Sequence, residues 1–140
     1  VRMFQSTIGK AEGEPWCMSF IQYCLFWVDE FVPGRAHTVY PSEWCKAVWD
    51  KAGHARRAQP QKGYVVIYNY VGTDSGHAGI VEAHGFDGQH EQEPYIITIE
   101  ANTSDSERSV IREGDGVYRK KRLTRRSGRM RLLGFIDPWG

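Results

Sequence analysis

Apolar positions fall into two regimes along the chain. From Trp16 to Phe31, the residues Trp16, Phe20, Ile21, Tyr23, Cys24, Leu25, Trp27, Val28 and Phe31 leave little polar surface. That is the pattern of a helix buried on nearly all sides. Pro15 suits its first turn, where a missing N–H is harmless, and Val32-Pro33-Gly34 stops it. A second helix is predicted from Pro41 or Ser42 to Ala52, closed by Gly53 and burying Trp44, Cys45, Val48 and Trp49. After Pro60 the pattern changes to short runs rich in β-branched and aromatic residues. Tyr64–Tyr70, His77–Ala83, Tyr95–Glu100, Val117–Leu123 and Met130–Ile136 read as strands separated by Gly- or Asp-containing turns. Ser127-Gly128 reads as the bend of a final hairpin. Helices first and strands afterwards predict an α+β fold, with N-terminal helices and a central buried helix packed on a mostly antiparallel sheet of five or six strands.

Composition narrows the class. With 140 residues, 41% hydrophobic and 25% charged, the chain is expected to form one domain over residues 1–140. A chain of that size buries roughly two-thirds of its unfolded surface. No apolar run approaches the ~20 residues of a membrane span, so no membrane insertion is expected, and no segment reads as a signal peptide. A chain opening at Val1 is expected to be a trimmed form or one domain of a longer protein. Three Cys without a C-x-x-C argue against a disulfide scaffold and a zinc ribbon. The net charge of +1 hides an asymmetry. Residues 108–131 carry ten Arg or Lys against Glu113 and Asp115, a net +8, whereas residues 1–107 sum to −6.

Candidate chemistry starts at Cys17, in the first turn of the buried helix. There the helix dipole and free N–H groups favour an anion and lower a thiol pKa. The competing reading is a small buried hydrophobe. Cys24 lies two turns on, roughly 10 Å along the same face, too far for a disulfide, and reads as core, as does Cys45. Of five His, only His77 opens a strand, within Ser75-Gly76-His77-Ala78-Gly79-Ile80-Val81. His37, His54, His84 and His90 read as solvated loop residues. The apolar strand Tyr95–Glu100 runs into polar groups, and residues two apart share a face, so Glu100 and Asn102 can both address an imidazole. A carboxylate or amide there fixes tautomer and orientation, as in other Cys/His hydrolases. Because an amide also accepts, Glu100→Gln is expected to be milder than His77→Ala. No G-x-S-x-G, P-loop or dinucleotide Gly pattern occurs, and no set of residues has metal spacing. No cofactor or metal is expected.

These residues resemble the CHAP domain, the cysteine- and histidine-dependent amidohydrolase/peptidase family of the papain-like and NlpC-type superfamily. Gly13-Glu14-Pro15-Trp16-Cys17 resembles its nucleophile segment, Gly76-His77-Ala78-Gly79-Ile80-Val81 its G-H-x-G-I-V strand, and Thr98-Ile99-Glu100-Ala101-Asn102-Thr103 its E-x-N block. Gly116-Val117-Tyr118-Arg119-Lys120 and Gly134-Phe135-Ile136 resemble its last strands. The resemblance implies a papain-like fold, Cys17 as nucleophile, His77 as base and Glu100 with Asn102 as orienting groups. It also implies hydrolysis of peptidoglycan amides at the bacterial cell wall, as in phage endolysins and bacterial wall hydrolases. The cut would be that of an N-acetylmuramoyl-L-alanine amidase or of a stem or cross-bridge endopeptidase. Some relatives bind calcium through an acidic loop before the Cys; Lys10–Glu14 departs from that pattern. The basic 119–131 segment reads either as a charge-protected edge or as an attractor of anionic wall polymers. The alternatives are another amide hydrolase on the same fold, such as a secreted effector or small-molecule amidase, and a non-catalytic module gripping an anionic polymer. No nucleic-acid partner is expected.

Overall fold

A computed structural model describes residues 17–32, 34, 36–88, 93–103, 116–125 and 128–140, without the side chains of residues 87, 102 and 103. Helix α1 spans Cys17–Phe31 and α2 spans Cys45–Lys51. A single 3-10 turn, Gly53–Ala55, leads into β1 (Arg56–Arg57), followed by β2 (Val65–Tyr70), β3 (Gly76–Asp87), β4 (Glu93–Thr103), β5 (Gly116–Leu123) and β6 (Met130–Ile136). The strands form one sheet in the order β1-β6-β2-β3-β4-β5, with antiparallel neighbours throughout. The fold is α+β, with helices ahead of a six-stranded antiparallel sheet.

Along α1, Met18, Ile21, Gln22 and Leu25 are buried at helical spacing. The burial is one-sided, which corrects the all-round expectation. Phe26 is 44%, Trp27 40% and Phe31 75% exposed. These rings pack on one another instead, with Trp27 stacked on Phe31 at 5.4 Å and edge-on to Phe26 at 5.5 Å. The second helix starts later than predicted, at Cys45. Ser42 accepts the Trp44 N–H on its hydroxyl (3.1 Å) in a turn ahead of the helix. Trp44, expected in the core, is 57% exposed because it precedes the helix rather than lying on its inner face. Gln22 fixes the incoming chain by donating to the Tyr40 carbonyl (2.7 Å) and, more weakly, to that of Ser42 (3.4 Å).

Alternation along β2 and β6 divides the core between the two sheet faces. Val65, Ile67, Ala78 and Ile136 pack under the helices with Met18, Ile21, Leu25 and Val48. Val66, Tyr68, Val81, Ile96 and Phe135 form a second cluster on the opposite face. The predicted final hairpin does not form. β5 pairs with β4 on one flank, while β6 inserts between β1 and β2. Periodicity reports which face a residue takes and says nothing about which strand lies beside it.

Candidate active site

Cys17 is the first residue of α1 and 7% exposed. The first N–H groups of a helix have no acceptor within it and carry its positive dipole end. The sulfur lies 3.9 Å from Sγ of Cys45, the first residue of α2, so two helix starts converge on one point. The backbone N–H of Ala78 and the His77 ring both act on this sulfur, each favouring its charged form. That backbone group is free to do so because the β3–β4 ladder begins only at Ile80 opposite Ile99, leaving residues 76–79 paired to β2 alone.

His77 and Glu100 come from the other side of the sheet. His77 lies opposite Tyr68, and Glu100 shares the face of Thr98 and Ile96. They meet Cys17 at the sheet end, where β3 and β4 part. His77 is 4% exposed and donates from Nε2 to Oε1 of Glu100 at 2.6 Å, which turns Nδ1 toward the thiol. Glu100 is fully buried. Its Oε2 accepts from the Thr98 hydroxyl (2.5 Å) and from Nε of Arg122 (2.6 Å), and its Oε1 also accepts from Nη2 of Arg122 (2.6 Å). Gly79 makes this approach possible, since a Cβ there would lie 2.8 Å from Cγ of Glu100.

The charges follow from these contacts. The contact with Cys45 leads the influences on Cys17 and, with His77 and the Ala78 N–H, outweighs burial, holding the thiol well below its ordinary range. Burial disfavours a charged His77 ring, but Cys17 and Glu100 override it and raise the pKa to about 9. Burial likewise opposes ionisation of Glu100, yet Arg122 and His77 hold it far below the usual carboxylate range. Both shifts favour the charged pair, a thiolate beside an imidazolium, over the neutral one.

Of the four residues singled out from the sequence, the structure brings Cys17, His77 and Glu100 together. Asn102 falls where the β4–β5 register shifts between Ala101 and Thr103. Its side chain lies outside the described residues. His90 is also outside them, and His84 is an exposed residue of β3 rather than of a loop. Three contributors escaped the sequence reading. Thr98 is two residues from Glu100, so the rule that suggested Asn102, applied in the other direction, finds it. Arg122 was counted with a solvated basic edge, yet it is three-quarters buried on the carboxylate. Arg119, three residues earlier on β5, is instead exposed and bound to Glu82 at 2.6 and 3.0 Å. Cys45 was assigned to packing alone, and no local pattern reports that two helix starts meet.

Comparison with curated proteins and with solved structures finds no match. A family model, the CHAP domain, matches residues 9–102, a stretch that holds Cys17, His77 and Glu100 and stops short of Arg122. A buried thiol at a helix start, a histidine on it and a carboxylate behind the histidine, within a match to two-thirds of the chain, place this protein in the CHAP domain family of cysteine hydrolases.

Proposed function

We propose that the chain hydrolyses amide bonds of peptidoglycan, with Cys17 as nucleophile, His77 as acid and base, and Glu100 as orienting group. The observation that carries this reading is the buried Cys17–His77–Glu100 array in a CHAP domain. The thiolate attacks the amide carbonyl, and the Cys17 backbone N–H, at a helix N-terminus, donates to the developing oxyanion. The His77 imidazolium protonates the leaving amine. Neutral His77 then takes a proton from water as it cleaves the thioester, which restores the ion pair. Glu100 accepts from Nε2 throughout and holds Nδ1 on the reacting atoms.

The substrate is either the bond between the muramoyl lactyl group and L-alanine or one within the stem or cross-bridge. The site of action is the bacterial wall, as for a phage lysin or a bacterial wall hydrolase. Exposed Arg125, Arg129 and Arg131 supply attraction to anionic wall polymers. Mass spectrometry of purified peptidoglycan after digestion tests the reading. Soluble fragments with new N-terminal alanine and intact stems identify an amidase, and new termini inside the peptide identify an endopeptidase. Fragments equal in amount from the Cys17→Ala protein, or none from the parent, would overturn it.

A further inference from the structure

The steps above use one thiol, yet two lie together. Cys45 is 3% exposed, and its sulfur is 3.9 Å from that of Cys17. Both sides of Cys45 are built to hold it there. A Cβ on Gly76 would fall 2.8 Å from Cβ of Cys45 and 2.5 Å from the Tyr68 carbonyl, so only glycine lets the start of α2 settle on β3. On the other side, Gln22 and the Ser42 hydroxyl fix the chain that enters α2.

We propose that Cys45 is a positioning residue whose S–H donates a hydrogen bond to the Cys17 sulfur and keeps it a thiolate aimed out of the helix start. This rests on Cys17 being the nucleophile. The direction of the bond follows from the surroundings. The Ala78 N–H, which has no partner strand on the β4 side, and the His77 ring, held on Glu100 through Nε2, both favour the anion on Cys17, so the shared proton is assigned to Cys45. Cys17 and burial together push the Cys45 thiol well up, so it keeps that proton wherever the enzyme works. A thiol is a weak donor in water, and in a buried site the same contact is worth more.

The experiment follows the rate of Cys17 alkylation by iodoacetamide against pH, read at that residue by mass spectrometry, in the parent, Cys45→Ala and Cys45→Ser. Circular dichroism and melting check the fold. No wall substrate is needed, so the outcome is separate from the identity of the substrate. The parent is expected to react down to a pH well under the ordinary thiol range. Cys45→Ala should shift the midpoint upward by about one unit, a tenfold loss of thiolate on the acid limb. The acid limb of hydrolysis should move with it. Cys45→Ser, which keeps a donor, should lie between the two and carries the test if the alanine protein does not fold. A purely packing role would lower the melting temperature and leave the midpoint in place. Coincident midpoints in folded variants would overturn the proposal while leaving Cys17 as nucleophile. A parent midpoint in the ordinary thiol range would overturn both.

Discussion

Arg122 grips Glu100 through two hydrogen bonds of 2.6 Å, one to each carboxylate oxygen. With His77 on Oε1 and the Thr98 hydroxyl on Oε2, every side of the carboxylate accepts a donor. A carboxylate has about four such positions, so this one is filled. Removing Arg122 strands a buried anion, and breaking one partner of a buried pair costs about 3–5 kcal/mol. Partial exposure of Arg122 puts Arg122→Leu toward the lower end, with kcat falling as Glu100 loses its hold on His77. Arg122→Lys keeps the charge without the fork and should lose less. The four donors also revise the expectation for Glu100→Gln. An amide turns an NH2 against donors on one side, so this variant should be destabilised as well as slow. Urea unfolding with kcat/KM on each variant decides, and a Glu100→Gln protein as stable as the parent would contradict the geometry.

Activity should follow a bell in pH. The upper limb falls near 9, where His77 loses its proton, and the lower limb falls where the thiolate gains one, below the ordinary thiol range. A single rise through the ordinary thiol range would contradict a resting ion pair.

Stability has its own pH course. His77 contributes stability that is complete below 6.5 and lost as pH rises through about 9. Cys17 runs the other way, complete above 9.0 and declining as pH falls. Between 6.5 and about 9 the two slopes oppose each other, because the proton absent from sulfur is present on the ring. Below that window Cys17 alone draws stability down. Under 4.5, Glu100 adds its own loss, since its depressed pKa stabilises only above the unfolded value. Melting temperature against pH should show a plateau across the window and an acid decline, and a maximum inside it would contradict the pairing.

Cys17 and Cys24 should separate cleanly. At neutral pH iodoacetamide is expected at Cys17 ahead of Cys24, whose thiol burial pushes up to about 11. Cys17→Ala should abolish hydrolysis with the fold retained. Cys24→Ala, at a half-buried position, should keep activity and lower stability by less than a full core truncation. Peptide mapping and thermal melts check both, and turnover by Cys17→Ala would remove it from the mechanism.

Two glycines should resist substitution for different reasons. In Gly79→Ala the new methyl meets Cγ of Glu100 at 2.8 Å, so activity should fall further than stability. In Gly76→Ala it meets a backbone carbonyl at 2.5 Å as well as Cys45, and overpacking of this kind costs about 1–3 kcal/mol. Melting temperature beside kcat for the two proteins tests the contrast, which fails if Gly79→Ala is fully active.

Residue pattern alone foretold the helix-then-strand order, and all five strands read from it overlap observed ones. It also put Cys17 at a helix start, His77 at a strand opening and Glu100 near a strand end. What it missed depends on distance in sequence. Whether Phe26, Trp27 and Phe31 face the core depends on how far the sheet extends under α1. Arg122 reads as a surface charge until β5 is known to lie against β4. Cys45 is 28 residues from Cys17, and their sulfurs meet where the chain entering α2 is held on Gln22 of α1.

The insertion of β6 between β1 and β2 sets the order in which the molecule can become an enzyme. During translation Cys17, His77 and Glu100 all emerge before residues 130–136, and until then one flank of β2 remains an open edge. That edge belongs to Val65, Val66 and Ile67, which are wholly enclosed in the finished molecule. A nascent chain halted before Met130 thus carries every member of the triad on an unfinished sheet. Premature termination should yield an inert, chaperone-dependent fragment rather than a shortened hydrolase.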